Sequence, residues 1–177
     1  IPTRPQDKFN VRPEDIETFR EVIVPYWKGK SLEDVIKNRY GDEISAISKV
    51  VKVNQTDHAQ GHICPNVKEW LELGPQGYID LARNHLETCS EAQREFYECV
   101  ILVMQGVQKF MLRYHDLALE MNKKDVAEIC EKLAYHPAAT FHEALQSLWL
   151  LFVVLHMESN ASSFSPGRLD GTLYVYY

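Results

Sequence analysis

The sequence lacks any apolar run long enough to cross a membrane. Its most apolar stretch, 144–157, includes Gln146, Ser147 and His156 and is shorter than the roughly 20 residues that such a span needs. The opening IPTRPQDKF also lacks the basic-then-apolar order of a secretory signal peptide. We therefore expect neither a membrane span nor a signal peptide. Because an initiator methionine is missing too, we expect that the sequence starts inside a longer one.

Cysteine is sparse, and positive charge is not concentrated anywhere. The four cysteines lie far apart without a CxxC pair, which favours reduced thiols in a cytoplasmic protein over a disulfide scaffold. The formal net charge is -6, and the basic residues are interspersed with acids. A nucleic-acid partner is therefore not expected, because the electrostatic footprint of such a protein is missing.

What the sequence does contain is strong helical patterning. Ser90 and Gln93 form a capping-box pattern, and apolar residues then recur at three or four from Phe96 to Met121, which predicts a helix of roughly eight turns. Shorter helices are predicted from Pro13 to Pro25, at 32–39 after the N-cap Ser31, at 75–86, at 125–133 and from Thr140, whose capping partner is Glu143. We expect a mainly α segment forming one domain, or part of one, over 1–177.

Two segments depart from an ordinary surface helix. Ile47 to Val53 alternates apolar and polar residues and is the best strand candidate. The helix from Thr140 is apolar nearly all round, so it should be covered on several sides. Because a chain of 20.5 kDa cannot easily supply that cover, we expect truncation at the C-terminal end as well.

The first candidate site is the cluster Asp57, His58, His62 and Cys64 in a polar loop. These residue types can bind a metal or transfer protons, but Gly61 argues against the regular helix that an HxxxH metal pair needs. Solvated or structural histidines are the first interpretation of these residues, histidines that hydrogen-bond a substrate or order the loop come next, and a metal site comes last. We predict no metal.

The second candidate site is the loop after the apolar helix, ESNASSFSPGR at 158–168. Hydroxyl and amide groups at the mouth of a rigid helix suit the polar wall of a ligand pocket, although they could equally cap the helix and form a turn. A nucleophilic serine is not favoured, because no GxSxG elbow surrounds Ser162 or Ser163. A structural role is expected for His115, His136, His142 and His156, and a core position for Phe96, Phe110 and Tyr114.

Together these motifs resemble the glycyl-radical enzymes of the pyruvate formate-lyase-like family. The run FHEALQSLWLLFVVLHMESNASSFSPGRLD at 141–170 is similar to their apolar helix and ESNG-like loop. The pieces VIVPYWKGKSLEDVI, GHICPNVKEWLELGPQGYIDL and REFYECV match in order, so the resemblance covers about 12–177. It implies a helical part of a ten-stranded β/α barrel.

The same resemblance implies a lyase that splits or dehydrates a small polar metabolite by radical chemistry. Two loops resemble family segments that contribute to the substrate pocket, which implies substrate-binding roles for His58 and His62 in the first loop and for Ser162 and Ser163 in the second. The catalytic cysteine and the glycyl-radical loop would lie outside this segment, so no catalytic residue and no bound organic cofactor are expected here. The implied partners are a radical S-adenosylmethionine activating enzyme and further copies of the parent chain.

Two departures from the family pattern bear on these expectations. Ser162-Ser163 stands where dehydratase members often have His-Ser, which argues against simply assigning glycerol dehydration. The ending DGTLYVYY also differs from the more usual DQYLYPYY. Two other functions remain open: a shortened, non-catalytic relative that acts as a binding protein, and a metal-binding module built on His58, His62 and Cys64.

Overall fold

The computed structural model describes residues 11–51, 63–159 and 164–177, without the side chains of Glu158 and Ser159. It divides the chain into two compact units, Ile1–Ala59 and Gln60–Tyr177. Within the described residues the regular structure is helical, and the only β-type pairing is one isolated bridge. The predicted mainly α class is therefore confirmed. None of the described helices is long and apolar enough to cross a bilayer.

The described part of the first unit begins with helical turns interrupted by one wide turn. Helix α1 is Pro13–Thr18, a π-helical turn follows at Phe19–Ile23, and α2 is Val24–Trp27. Pro13 does open the first helix, as predicted. At Pro25 the sequence predicts an end or a kink. The helical run does not end there, because proline in the first turn of α2 costs little, but a π-helical turn, which is a common cause of kinks, lies just before it.

Helix α3, Leu32–Ser48, is longer than predicted. Ser31 caps it as expected, since its Oγ accepts the Asp34 N–H at 3.1 Å. The helix bends at Tyr40, whose φ of -131° and ψ of 24° are not helical, and then continues. The predicted helix 32–39 is only the part before this bend.

The strand predicted from Ile47 to Val53 is wrong where the structure describes it. Ile47 lies in the last turn of α3, and the N–H groups of Val50 and Val51 both bond to its carbonyl oxygen at 2.9 Å. Local hydrogen bonds thus satisfy this backbone, whereas a strand would need a neighbouring strand. Residues 52 and 53 lie outside the described part.

In the second unit, α4 covers Val67–Leu86 and bends at Gly74. The prediction of a helix from Pro75 is right for the second half and missed the first, 67–73. That first half buries Trp70 and Leu71, which are 4% and 0% exposed. The sequence pattern hid it because Gly74 and Pro75 interrupt the periodicity.

Helix α5, Glu91–Glu120, confirms the long helix, and its Ser90–Gln93 capping box is formed. The helix packs against α4 and against α6, Lys124–Tyr135. Between them, Gln108 donates from Nε2 to the Ala134 carbonyl oxygen and to Gln76 Oε1, both at 2.9 Å. Phe96, expected in the core, is 65% exposed and corrects that prediction.

Helix α7, Phe141–Ser159, and helix α8, Leu169–Tyr174, complete the unit. Leu150 is fully buried against the core. The described residues cover α7 only in part, in keeping with the expectation that a chain of this size cannot easily supply the full cover, and other apolar side chains of α7 are open to solvent. These are Leu145 at 41%, Trp149 at 56% and Met157 at 57% exposure.

Candidate functional site

A residue within each of the two predicted loops pairs with a residue of the other loop. Ile63 and Phe164 form a parallel β-bridge, and Ser165 donates its backbone N–H to the Ile63 carbonyl oxygen at 2.8 Å. Ile63 directly follows His62, and Phe164 directly follows Ser163. The bridge thus brings together two stretches of chain separated by about a hundred residues of helix.

All four predicted substrate-binding residues lie outside the described part of the chain. These are His58, His62, Ser162 and Ser163. Of the proposed metal cluster, only Cys64 is described, and its side chain is exposed. Across 11–51, 63–159 and 164–177, no group of three or more histidine, cysteine or acidic side chains could hold a metal ion.

A strip of aromatic rings on α7 lies beside the bridge. The Phe152 ring is 5.4 Å from the Phe164 ring in an edge-on arrangement, and it stacks on Trp149 at 5.3 Å between centroids. On its other side the His156 ring lies 4.2 Å away. Phe152 therefore connects the last turns of α7 to the residue that pairs with Ile63.

His156 is fixed by its own helix. Its Nδ1 lies 2.9 Å from the carbonyl oxygen of Phe152, so Nδ1 carries the proton and donates. The sequence-based expectation of a structural role agrees with this contact. The sequence analysis missed that Phe152, four residues earlier, and Phe164, inside the second predicted loop, share one strip with His156. The i, i+4 spacing of Phe152 and His156 was the available signal.

The body of α7 is held in place by a buried hydrogen bond. The indole Nε1 of Trp70 donates to Ser147 Oγ at 2.9 Å, and it also lies 3.3 Å from the Ser147 carbonyl oxygen. Both side chains are buried, at 4% and 3% exposure. Because Trp70 lies on α4, this bond fixes the helix that carries the aromatic strip relative to the helix that follows Ile63.

The start of α7 has a charged cap. The Glu143 carboxylate accepts the Ala139 N–H at 2.8 Å and the Thr140 N–H at 3.2 Å, while Lys132 Nζ lies 2.7 Å away. Thr140 Oγ1 in turn accepts the Glu143 N–H at 3.3 Å, which confirms the predicted capping box. Burial raises the pKa of Glu143, but Lys132 and the two N–H groups together lower it by more than burial raises it. The pKa of Glu143 therefore lies below its usual value.

Two other groups in this unit are held in their neutral forms. Burial, together with the nearby Glu69 carboxylate, raises the pKa of Tyr78 to about 12. Burial also raises the pKa of the Cys130 thiol, and this side chain is fully enclosed. A protonated, enclosed thiol is a poor nucleophile, so Cys130 is unsuited to nucleophilic catalysis.

Known proteins are similar to this chain over nearly its whole length. The model of the pyruvate formate lyase-like family matches residues 1–177. The (2S)-3-sulfopropanediol dehydratase of Klebsiella oxytoca has 28% sequence identity to this chain in an alignment that covers 98% of it. The isethionate sulfite-lyase of Nitratidesulfovibrio vulgaris has 27% identity in an alignment that covers 100% of it. This chain covers 24% and 25% of those two proteins.

Solved structures agree with the family match. The B12-independent glycerol dehydratase from Clostridium butyricum, in its glycerol-bound form, superposes on 98% of this chain with a TM-score of 0.76 and 25% identity. The matched part is 25% of that protein. The chain spans about a quarter of the length of the relatives it matches, and it belongs to the pyruvate formate lyase-like family.

Proposed function

We propose that this chain is a partial domain of a glycyl-radical lyase that cleaves or dehydrates a small polar metabolite. In this proposal His58, His62, Ser162 and Ser163 bind and orient the substrate by hydrogen bonds. The observation that carries it is the Ile63–Phe164 bridge, because it joins the residues that directly follow His62 and Ser163 in the two predicted loops. The relatives named above are dehydratases and lyases of small hydroxylated or sulfonated compounds, which favours a lyase over the non-catalytic binding protein.

In the proposed enzyme, this chain and the rest of the parent protein have different roles. This chain would supply part of the pocket wall, with hydroxyl and imidazole groups that fix the substrate. A glycyl radical on another part of the parent would supply the radical chemistry, after activation by a radical S-adenosylmethionine enzyme. We further propose a cytoplasmic, homo-oligomeric parent, in keeping with the free thiols of all four cysteines.

The experiment that tests the function uses the natural full-length protein under anaerobic conditions. After treatment with its activating enzyme, electron paramagnetic resonance should show a glycyl radical. Small diols, glycerol and hydroxyalkyl sulfonates would then be tested as substrates. A radical signal with turnover of one of these supports the proposal, whereas a stable radical with no turnover of any of them contradicts the substrate class.

The orienting residues are tested by substitution in the same protein. His62→Ala and Ser163→Ala should each lower kcat/KM by about 10–100-fold, because each loses a hydrogen bond to the substrate, while the radical signal is unchanged. His115→Ala is the matched control, since His115 contacts Asp116 at 2.9 Å on α5 and lies outside the site. Unchanged kcat/KM in both site variants would exclude these two residues.

The aromatic strip gives a separate prediction. Phe152→Ala removes the ring that contacts Phe164, so the two bridged loops should be held less firmly. We therefore expect KM to rise about tenfold or more. Phe152→Leu, which keeps much of the packing, should restore most of the affinity. Phe96→Ala is the control, because that ring is 65% exposed and far along the chain from the bridge. An unchanged KM in Phe152→Ala would remove the strip from the proposal.

A further inference from the structure

An open groove runs along the second unit between α5 and the end of α7. Its larger part has a volume of about 670 Å³ and is lined by Gly106, Lys109, Phe110, Arg113, Tyr114, Leu117 and Met157. It continues past Val103 and Val154 into a smaller cavity of about 220 Å³. From Val103 to Leu117 the groove follows about 20 Å of helix, or roughly four turns.

The floor of the groove is apolar and in part bare backbone. Leu117 and Met157 are 49% and 57% exposed, and Phe110 packs against Tyr114 with ring centroids 4.9 Å apart. Gly106 lies in the middle of α5, and a Cβ at that position would meet nothing within 4 Å. Glycine weakens a helix interior, so an open position facing apolar side chains suits the close approach of another chain.

The rim of the groove carries two positive charges that have no partner among the described residues. Lys109 and Arg113 are one helical turn apart, where like charges repel and weaken the helix. Neither side chain has a carboxylate or another hydrogen-bond partner within 63–159 and 164–177. Most cations on the other helices of this unit do have one: Lys68, Arg83 and Lys132 each lie within 4.0 Å of a carboxylate oxygen.

Three features that are unfavourable in water therefore lie on one face of α5: exposed apolar side chains, a glycine inside the helix, and two neighbouring cations without a partner among the described residues. A single occupant with an apolar face and carboxylates would compensate all of them. We propose that this groove binds an acidic amphipathic helix of the same polypeptide, from a part of the parent protein outside these 177 residues. The relatives are about four times as long as this chain, so the parent has ample length to supply it.

A helix is the occupant that the shape favours. The groove follows one face of α5 over about four turns, is bordered by Val154 and Met157 of α7, and passes over Gly106, which would let another helix approach closely. Its carboxylates would lie over Lys109 and Arg113, where removal from water strengthens the ion pairs. The inference uses the proposed function only for the existence of a longer parent and needs neither the radical nor turnover.

The test is zero-length cross-linking of the unactivated full-length protein with a carbodiimide, which joins a lysine amine to a contacting carboxylate. A mixture of ordinary and isotope-labelled protein distinguishes links within one chain from links between copies. We expect Lys109 joined to an aspartate or glutamate of the same chain outside these 177 residues. Links from Lys109 only to another copy or only within the 177 residues, or no link at all, would overturn the proposal.

Two variants provide an independent check in the full-length protein. Gly106→Leu should lower the Tm by at least about 3 °C, because the side chain would displace the occupant, whereas in an open groove it should leave the Tm unchanged or raise it. Lys109→Gln with Arg113→Gln should lower the Tm as well, while the paired control Lys68→Gln with Arg83→Gln on α4 should not. A rise in Tm for Gly106→Leu would show that the groove is empty.

Discussion

Glu143 shows how one side chain can fix a helix that the site depends on. Its carboxylate binds two backbone N–H groups that precede α7 and the ammonium group of Lys132 on α6. The side chain itself is 10% exposed, whereas that of Lys132 is 41% exposed. Most of the stabilisation should therefore come from the backbone hydrogen bonds, because water screens the partly exposed ammonium group.

We expect Glu143→Gln to lower the free energy of unfolding by about 1 kcal/mol at pH 7, as for the loss of a helix cap. The pKa of Glu143 is lower in the folded chain than in the unfolded one, so this contribution is fully present above about pH 4.5 and is lost as the pH falls through the folded value. The difference between wild type and Glu143→Gln in urea unfolding should shrink accordingly below pH 4.5. Glu128→Gln, an exposed position on α6, should change stability by less than about 0.5 kcal/mol. A pH-independent difference would contradict the assignment.

At the scale of elements, the bend in α4 determines how two helices and a loop meet. Gly74 has a φ of 59° and a ψ of -179°, which only glycine adopts without strain. A Cβ there would also lie 3.3 Å from the His136 carbonyl oxygen. On the other side of the bend, the Ala138 N–H bonds to the Leu71 carbonyl oxygen at 3.2 Å, which ties the turn before α7 to the first half of α4.

Gly74→Ala should therefore destabilise the chain by about 1–3 kcal/mol in urea unfolding, since strain and a close contact with backbone act together. Gly41→Ala serves as the control, because Gly41 lies in α3 with nothing within 4 Å of a Cβ, and alanine should leave stability equal or raise it by up to about 1 kcal/mol. Equal effects at the two positions would mean that the bend carries no strain.

At the scale of the whole molecule, the main feature is apolar surface that these residues do not cover. Leu102 is 69% exposed and Val103 52% exposed on α5, and Trp149 is 56% exposed on α7. Large exposed apolar areas mark surfaces that bind other protein. The proposed longer parent would account for this surface, since the chain covers 24% and 25% of two of its relatives.

We expect the 177-residue chain prepared by itself to bind a dye such as anilinonaphthalene sulfonate and to self-associate in light scattering. Trp149→Gln together with Leu102→Gln should reduce both effects, because these two side chains are among the most exposed apolar groups of their helices. Lys124→Gln, at an exposed polar position, should reduce neither. A monomer that binds no dye would contradict this prediction.

Local features of the sequence predicted most of the helices and the family. The capping pairs Ser90–Gln93 and Thr140–Glu143 were predicted correctly because a cap depends on residues three apart, and the period of α5 depends on one helix face. The family motifs were likewise continuous runs of sequence. The strand at 47–53 was wrong in its described part because alternation over a few residues does not reveal whether a partner strand exists.

Only the tertiary structure decided which residues far apart in the sequence contact each other. The sequence could indicate the loops after 53 and 157 separately, but the pairing of Ile63 with Phe164 and the contact of Phe152 with Phe164 arise from how the helices between them pack. Likewise, the exposure of Phe96 and the groove over Gly106 depend on which faces of α5 meet α4, α6 and α7. Periodicity identifies an apolar face, and only packing determines whether these residues cover it or leave it for another part of the protein.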